Sequence, residues 1–382
     1  MSLARAAALL SLAACSATPV NPQDAGSDGG PRPWNANEVS ILFPPPFELS
    51  MRGTRSDGGA AELMPADVFA RLGNRDAGLP RLIEGFADRD LYPDLRVVSA
   101  RVDPCFDGPD DAGVCERQVR LAAQVVEPGG GISDAAIHLF YRLSEPELIE
   151  VLARLRALSR ASPVSGALGV HPAPAGIAAV IRDACSTANL TRFTFMAVGR
   201  SKNWFFHILD RRPDGSFADS EIVGTGSSDA FTDQGQPGFR MGIMPPVPWF
   251  PAALLTTGET RALSQPAFET AYDALARLAN PKLTRTADVS CAACHAGPST
   301  QVESLRDRDA GTAPMAPSAY ASPSLQPSTP PFRLGNMHAF SYFFDQPTVS
   351  ERTLNETEEV VRYLSSEEFL KTLSPADRAR LE

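Results

Sequence analysis

The chain has 382 residues, a hydrophobic fraction of 43% and a formal net charge of −10 at pH 7. This length suffices for one large or two ordinary domains with a substantial core. The acidic balance argues against a nucleic-acid-binding protein, which needs clustered Lys and Arg side chains to displace counterions from phosphates. No run of apolar residues is long enough to predict a membrane-spanning helix.

The first fifteen residues have the pattern of an export signal. Arg5 is followed by an apolar run that ends in Leu12-Ala13-Ala14-Cys15. A charged start, an apolar stretch and small residues before a cleavage point are typical of secretory signals. The last four residues also resemble the lipobox of bacterial lipoproteins, in which the cysteine is acylated and becomes the first residue of the mature chain. An ordinary signal peptide cleaved nearby, or a start that is simply rich in alanine, is the alternative.

Residues 16–36 are polar and rich in Pro and Gly, a composition that cannot bury a core. We expect this segment to be a flexible tether. Two or three acyl chains on Cys15 would anchor the tether firmly to a membrane. The lipobox resemblance therefore implies a membrane-anchored lipoprotein of the bacterial cell envelope, facing the periplasm or the cell surface.

Residues 37–260 have the patterns of an α+β domain, with a mainly antiparallel sheet and packed helices, whose role the sequence does not reveal. Residues 37–60 are expected to be irregular, because the prolines of the segment 43–47 cannot pair in a central strand. Ser144 and Glu147 form a capping box that predicts the start of a helix. The predicted strands cover 95–102, 118–126, 135–141, 192–199 and 203–209, and the predicted helices cover 65–72, 80–87, 145–160, 176–185 and 265–279.

Two cysteines flank a turn-rich loop between the first two of these strands. A hairpin would bring the Sγ atoms of Cys105 and Cys115 together, and export would place them in an oxidising compartment, so we expect a disulfide. Two independent buried thiols are the alternative. Cys185 is left over and is expected to be a small core residue on an apolar helix face.

The segment Cys291-Ala292-Ala293-Cys294-His295 matches Cys-x-x-Cys-His, the attachment pattern of c-type haem. Two thiols at this spacing can reach the two vinyl groups of one porphyrin, and the histidine that follows can ligate the iron. Random placement of the 6 Cys and 5 His of the chain would give the pattern in roughly one such chain in a thousand. A thioredoxin-like dithiol, a structural zinc site and a plain disulfide are the alternatives.

Residues from about 265 to 366 resemble a class I cytochrome c domain. A predicted helix precedes the attachment motif, as the first helix of that family does, and residues 358–364 resemble its last helix. A Pro-rich loop at 312–331 lies between them, a common feature ahead of the methionine ligand of the family. The resemblance implies a small, mostly helical haem domain over 261–382, with one covalent haem c and His295 as an axial ligand of the iron.

The resemblance also places the sixth ligand of the iron shortly before the last helix. Met337 is the expected ligand and His338 its alternative, because neighbouring side chains point in different directions and only one can reach the metal. Met315 is a third candidate. Met241 and Met244 precede the motif and could act only if the first domain packs on the distal side of the haem.

The remaining aromatic and histidine side chains have simpler interpretations. His138 and His207 lie in strand patterns and are expected to be packed or surface residues. Trp204, Phe205 and Phe206 are expected to be core residues rather than haem contacts.

The expected function is electron transfer, or a redox accessory role, by an exported, lipid-anchored, mono-haem c-type cytochrome with an unidentified redox partner protein. No nucleophile–histidine pair marks a catalytic site. A haem enzyme of the peroxidase or oxidase kind, with its substrate bound between two domains, is one alternative. An envelope binding protein with a structural haem is the other.

Overall fold

The computed structural model describes residues 32–72, 90–109, 115–163, 168, 170–198, 204–222, 227–235, 240–244, 257–286, 289–308, 312–320 and 338–382. Trp34–Glu382 form one compact unit. The predicted signal peptide, Cys15, most of the tether, the helix predicted over 80–87 and Met337 lie outside the described residues. Among the helices of the described chain, none is both long enough and apolar enough to cross a bilayer.

Runs of one or more helices follow runs of strands along the described chain. The strands are β1 Ser40–Leu42, β2 Arg52–Thr54, β3 Ala60–Glu62, β4 Leu95–Pro109, β5 Cys115–Val126, β6 Ile132–Arg142, β7 Leu190–Val198, β8 Trp204–Arg211, β9 Phe217–Asp219, β10 Asp229–Gly235, β11 Arg240–Met244, β12 Phe340–Phe343 and β13 Gln346–Val349. The helices are α1 Ala66–Leu72, α2 Glu145–Ala161, α3 Pro174–Ala184, α4 Thr257–Ala262, α5 Gln265–Leu278, α6 Cys291–Asp307, α7 Glu351–Leu364, α8 Glu367–Thr372 and α9 Pro375–Leu381.

Nine of the described strands form one sheet in the order β1-β4-β5-β6-β7-β8-β10-β11, with β9 paired to β8. Every strand pair in it is antiparallel. The predicted α+β class with a mainly antiparallel sheet is therefore confirmed. β8 is buried at six consecutive positions, from Trp204 to Leu209, as expected for a strand that is covered on both faces of the sheet.

Alternation along the central strands gives the sheet two different faces. Val119, Leu121 and Ala123 of β5 point to the first face, where α2 and α3 complete a large hydrophobic core. Residues such as Met196 and Phe206 point to the second face, where α5 and α6 pack in a smaller cluster. The chain thus forms helices, sheet and helices in three layers, and the second face holds the candidate site.

Helix α2 shows how local sequence fixes an element. Ser144 and Glu147 form the predicted capping box, in which the Ser144 backbone N–H donates to Glu147 at 2.7 Å. One side of the helix buries four aliphatic side chains against the first face: Leu148, Val151, Leu152 and Leu155. Each such side chain contributes about 1.5–3 kcal/mol when fully buried.

The expectation of an irregular segment over 37–60 is wrong in part. β1 pairs with β4 at the edge of the sheet, with Ser40 opposite Arg101, and β2 pairs with β3. A three-residue strand is too short to show alternation, and the partner of β1 lies far along the chain. The proline argument holds, because β1 ends at Leu42, directly before the Phe43–Phe47 segment.

Within the C-terminal segment, β12 and α7 pack on the second face of the sheet, whereas α9 contacts α2. β12 contacts β4, β5 and β6, and α7 contacts β4. The side chain of Gln124 in β5 donates to the Tyr342 carbonyl at 2.8 Å and accepts from the Tyr342 backbone N–H at 2.9 Å. This places residues of α7 beside the central strands. The domain boundaries expected at 36/37 and 260/261 stay predictions.

Candidate cofactor site

A cavity of about 320 Å³ lies on the second face of the sheet. α6 packs against β8, β10 and β11, α7 packs against β4, and the cavity opens between them. Its volume is within the range of about 300–1,000 Å³ that is usual for small-molecule and cofactor sites. The walls combine apolar side chains, including Phe140, Met196, Phe206, Ile208 and Phe340, with the charged groups Arg101, Arg120, Arg192, Arg352 and Glu356.

The Cys-x-x-Cys-His motif forms the start of α6. The Ser290 hydroxyl caps the helix by accepting from the Ala293 backbone N–H at 3.2 Å. Residues three and four apart share a side of a helix, so Cys291, Cys294 and His295 point the same way. All three line the cavity. Ala292, Ala293 and Ala296 are fully buried on the packed side, where small residues let the helix lie close to its neighbours.

The two motif thiols differ from a redox-active pair. They open a helix, as such pairs do, but no disulfide joins them. Burial, together with the nearby Cys294, raises the pKa of the Cys291 thiol to about 12. A redox-active dithiol needs the opposite shift, because the thiolate is the nucleophile. The environment therefore disfavours the dithiol alternative.

The zinc alternative lacks ligands in the part of the chain that the structure describes. No group of three or more His, Cys, Asp or Glu side chains comes together there in a way that could hold a metal. A structural zinc site requires four such ligands. The described residues therefore do not form a closed zinc site around Cys291 and Cys294.

The opposite wall of the cavity is the middle of the sheet, and His138 stands at its centre. His138 lies in β6, between Ala122 of β5 and Thr194 of β7. Its ring centre is 5.7 Å from that of His295, and the two ring planes differ by 18°. Burial lowers the pKa of His138, and the positive charges of His295, Arg120 and His338 lower it further, so the ring is neutral at pH 7.

Phe206 of β8 is the aromatic side chain beside the motif histidine. Its ring centre is 5.2 Å from that of His295, and the side chain lines the cavity. Phe206 is a buried core residue, as predicted, and both it and His138 also line the cavity. The local sequence gives no signal for a position in the cavity, because the cavity depends on the register between strands that are distant in sequence.

A row of charged side chains crosses the same face. The register places Arg101 opposite Arg120, Arg120 opposite Phe140, and Phe140 opposite Arg192. Like charges that face each other across strands are unfavourable unless anions compensate them. For Arg192 the anion is Asp210, which accepts from its Nε at 2.5 Å and from its Nη2 at 2.9 Å.

Glu356 of α7 compensates the other arginines. Its carboxylate accepts from Arg101 Nη1 at 2.5 Å and from Arg352 Nε at 2.6 Å. Asp103 accepts from Arg120 Nη2 at 3.2 Å. Burial raises the pKa of Glu356, but Arg352, Arg101 and Arg120 outweigh it and hold that pKa well below its ordinary value. Three guanidinium groups, two of them buried, thus lie beside two carboxylates, so the cluster carries a net positive charge.

The expected sixth ligands lie in different places. Met337 is outside the described residues. His338 is buried, with Nδ1 at 2.7 Å from the Ser341 hydroxyl and its ring 5.8 Å from that of Trp204, and it is not among the described residues that line the cavity. Met315 is 85% exposed. Met241 and Met244 lie in β11.

The cysteines outside the motif have structural roles. Cys105 and Cys115 form a disulfide between β4 and β5. Cys185 is fully buried in the main core at the end of α3. His207, expected to be packed, is buried between Asp229 and Asp219.

No protein-family model, curated protein or solved structure matches the chain.

Proposed function

We propose that this chain is an exported, lipid-anchored protein that carries one covalent haem c and transfers electrons to or from a redox partner protein. The observation that carries the proposal is the convergence of Cys291, Cys294 and His295 on one cavity whose walls combine apolar and charged side chains. A cavity that is lined by two thiols and an imidazole has the donor set that a c-type haem requires. The sequence pattern Leu12-Ala13-Ala14-Cys15 supports export and acylation.

The cavity residues have defined roles in this proposal. The thiols of Cys291 and Cys294 would attach the porphyrin, and His295 would ligate the iron. Phe206 and Phe140 would contact the porphyrin. The guanidinium groups of Arg101, Arg120 and Arg352 would hold the propionates through charge-assisted hydrogen bonds, since they give this side of the cavity a net positive charge.

A bound haem supplies a one-electron redox couple. The chain then controls that couple through its own groups. The apolar part of the walls would limit the contact of the group with water, and burial of an iron site influences its potential. The arginines place positive charge near the cavity, and this charge would favour the reduced state of the haem.

The test is covalent attachment. The protein is produced with the c-type maturation machinery, separated on a denaturing gel and stained for haem. We expect a stained band in the wild type and none in the double variant Cys291→Ala, Cys294→Ala. Cys185→Ala is the matched control, because it removes a buried thiol that is remote from the cavity, and it should keep the stain. Loss of the wild-type haem to acid–acetone extraction would refute thioether attachment.

The same protein preparation distinguishes electron transfer from the alternative function, that of a haem enzyme. A protein that only transfers electrons needs no open position on the iron, whereas a peroxidase or oxidase does. We expect the reduced protein to bind carbon monoxide slowly or not at all. Immediate binding would favour the enzyme.

A further inference from the structure

We infer that His138, from the central strand β6, is the second axial ligand of the haem iron, on the side opposite His295. The inference rests on the proposed function, since it requires the haem. It replaces the sequence-based expectation that the ligand lies at 337–338, next to the last helix of the cytochrome resemblance.

The spacing of the two rings supports this arrangement. Two imidazoles on opposite sides of one metal would have nitrogens about 4 Å apart, twice a metal–nitrogen bond of ~2.0 Å, and their ring centres would then lie about 6 Å apart. The centres of His138 and His295 are 5.7 Å apart, and the two ring planes differ by 18°. The separation of the two rings is therefore close to the one that a shared metal would require.

The sheet also prepares the His138 ring for ligation. The Thr194 hydroxyl lies 3.5 Å from His138 Nδ1, at the long limit of a hydrogen bond. A metal-bound histidine usually donates a hydrogen bond from one ring nitrogen and ligates the metal with the other. With Nδ1 beside Thr194, Nε2 of His138 would be the ligating nitrogen. β6 is paired on both sides, to β5 and β7, and a ligand on such a rigid element is placed more accurately than one on a loop.

The competing donors are less well placed. Met196 lines the cavity, but it pairs with Ala136, two residues along β6 from His138, and packs in the cluster with Trp204. The His338 ring is engaged with Ser341 and Trp204 outside the cavity lining. Among the residues that the structure describes, His138 is therefore the donor that lies beside the motif histidine on the opposite wall of the cavity.

The spectrum of the oxidised wild-type protein is the first test. We expect a low-spin, six-coordinate iron without a methionine-to-iron charge-transfer band, and a lower potential than thioether ligation would give. A clear methionine band in the wild type would overturn the inference.

The second test compares single variants in the haem-loaded protein. His138→Ala should convert most of the iron to the high-spin form and allow rapid carbon monoxide binding, and added imidazole should restore the low-spin spectrum. Met196→Leu, Met337→Leu and His338→Gln should keep the wild-type spectrum. A low-spin His138→Ala protein, or an opened site in any of the other three, would show that His138 is not the ligand.

A further variant, His138→Met, provides a test if His138→Ala takes up little haem. His138→Met retains a donor of similar length, and we expect it to gain the methionine band and a raised potential. A His138→Met protein with the spectrum and potential of the wild type contradicts the inference. Failure of the wild type itself to bind haem covalently would instead refute the proposed function.

Discussion

Glu356 offers the sharpest test of the charged cluster, through the variant Glu356→Gln. The amide keeps the shape of the side chain but removes the negative charge that faces Arg101, Arg352 and Arg120 at 2.5, 2.6 and 3.5 Å. Arg101 and Arg120 would then keep Asp103 as their carboxylate partner, and Arg352 would lose its ion pair within the cluster. Breaking a buried ion pair by removing one partner costs about 3–5 kcal/mol, because the remaining charge stays desolvated. We expect the free energy of unfolding to fall by that amount at pH 7.

The pH dependence of the loss gives a second signature. The folded-state pKa of Glu356 lies well below its ordinary value. Stability from its ionised form is therefore complete above the unfolded pKa of about 4.3 and is lost as the pH falls from there towards the folded pKa. The difference in the free energy of unfolding between the wild type and Glu356→Gln should decrease by about 1.4 kcal/mol for each unit by which the pH falls within that range.

The assay is urea unfolding followed by far-ultraviolet circular dichroism, at pH 7 and at several values below pH 4.3. Glu367→Gln is the matched control, because Glu367 pairs with Lys371 at 2.9 Å on the surface, with side chains 87% and 73% exposed. Such a pair contributes about 0–1 kcal/mol. If Glu356→Gln lowers the free energy of unfolding by less than 1 kcal/mol, or by an amount that does not change with pH, the reasoning about the cluster is refuted.

Two further predictions concern the cysteines outside the motif. Replacing both Cys105 and Cys115, ten residues apart, with Ser should lower the free energy of unfolding by about 3 kcal/mol in the chain-entropy model, and peptide mapping without reduction should recover the linked pair from the wild type. Alkylation of both thiols in the native, unreduced protein would contradict this. Cys15→Ala should release the protein from membranes or leave an uncleaved precursor, measured by fractionation and mass, and a variant that stays membrane-bound at the normal mature size would show that acylation is not the anchor.

The sequence predicts those parts of the fold that depend on local patterns. The helices α2 and α5 form close to their predicted bounds, and the hairpin of β4 and β5 forms where it was predicted. β4 extends to Pro109, beyond the predicted end at 102, and β5 begins at Cys115, before the predicted start at 118. β1 was missed because three residues show no period. Its stability comes from pairing with β4, which no local window contains.

The same distinction holds for the candidate site. Cys291, Cys294 and His295 are adjacent in sequence, so their spacing alone indicates their chemistry. His138 and Arg120 join them only because β5 and β6 align in one register. A single histidine in a strand has no pattern of its own, so its position beside His295 could be found only from the fold.

The position of α7 has a consequence for the order of events during biogenesis. Glu356 and Arg352 close one side of the cavity, and Glu356 meets Arg101 across 255 residues of chain. If the chain is exported and carries haem, as proposed, the motif at the start of α6 would leave the export channel before α7 does. An enzyme that joins haem to Cys291 and Cys294 would then meet a sheet face that α7 does not yet cover. Docking of α7 would narrow the access to the cavity that both thiols line, so attachment is expected to precede the last step of folding.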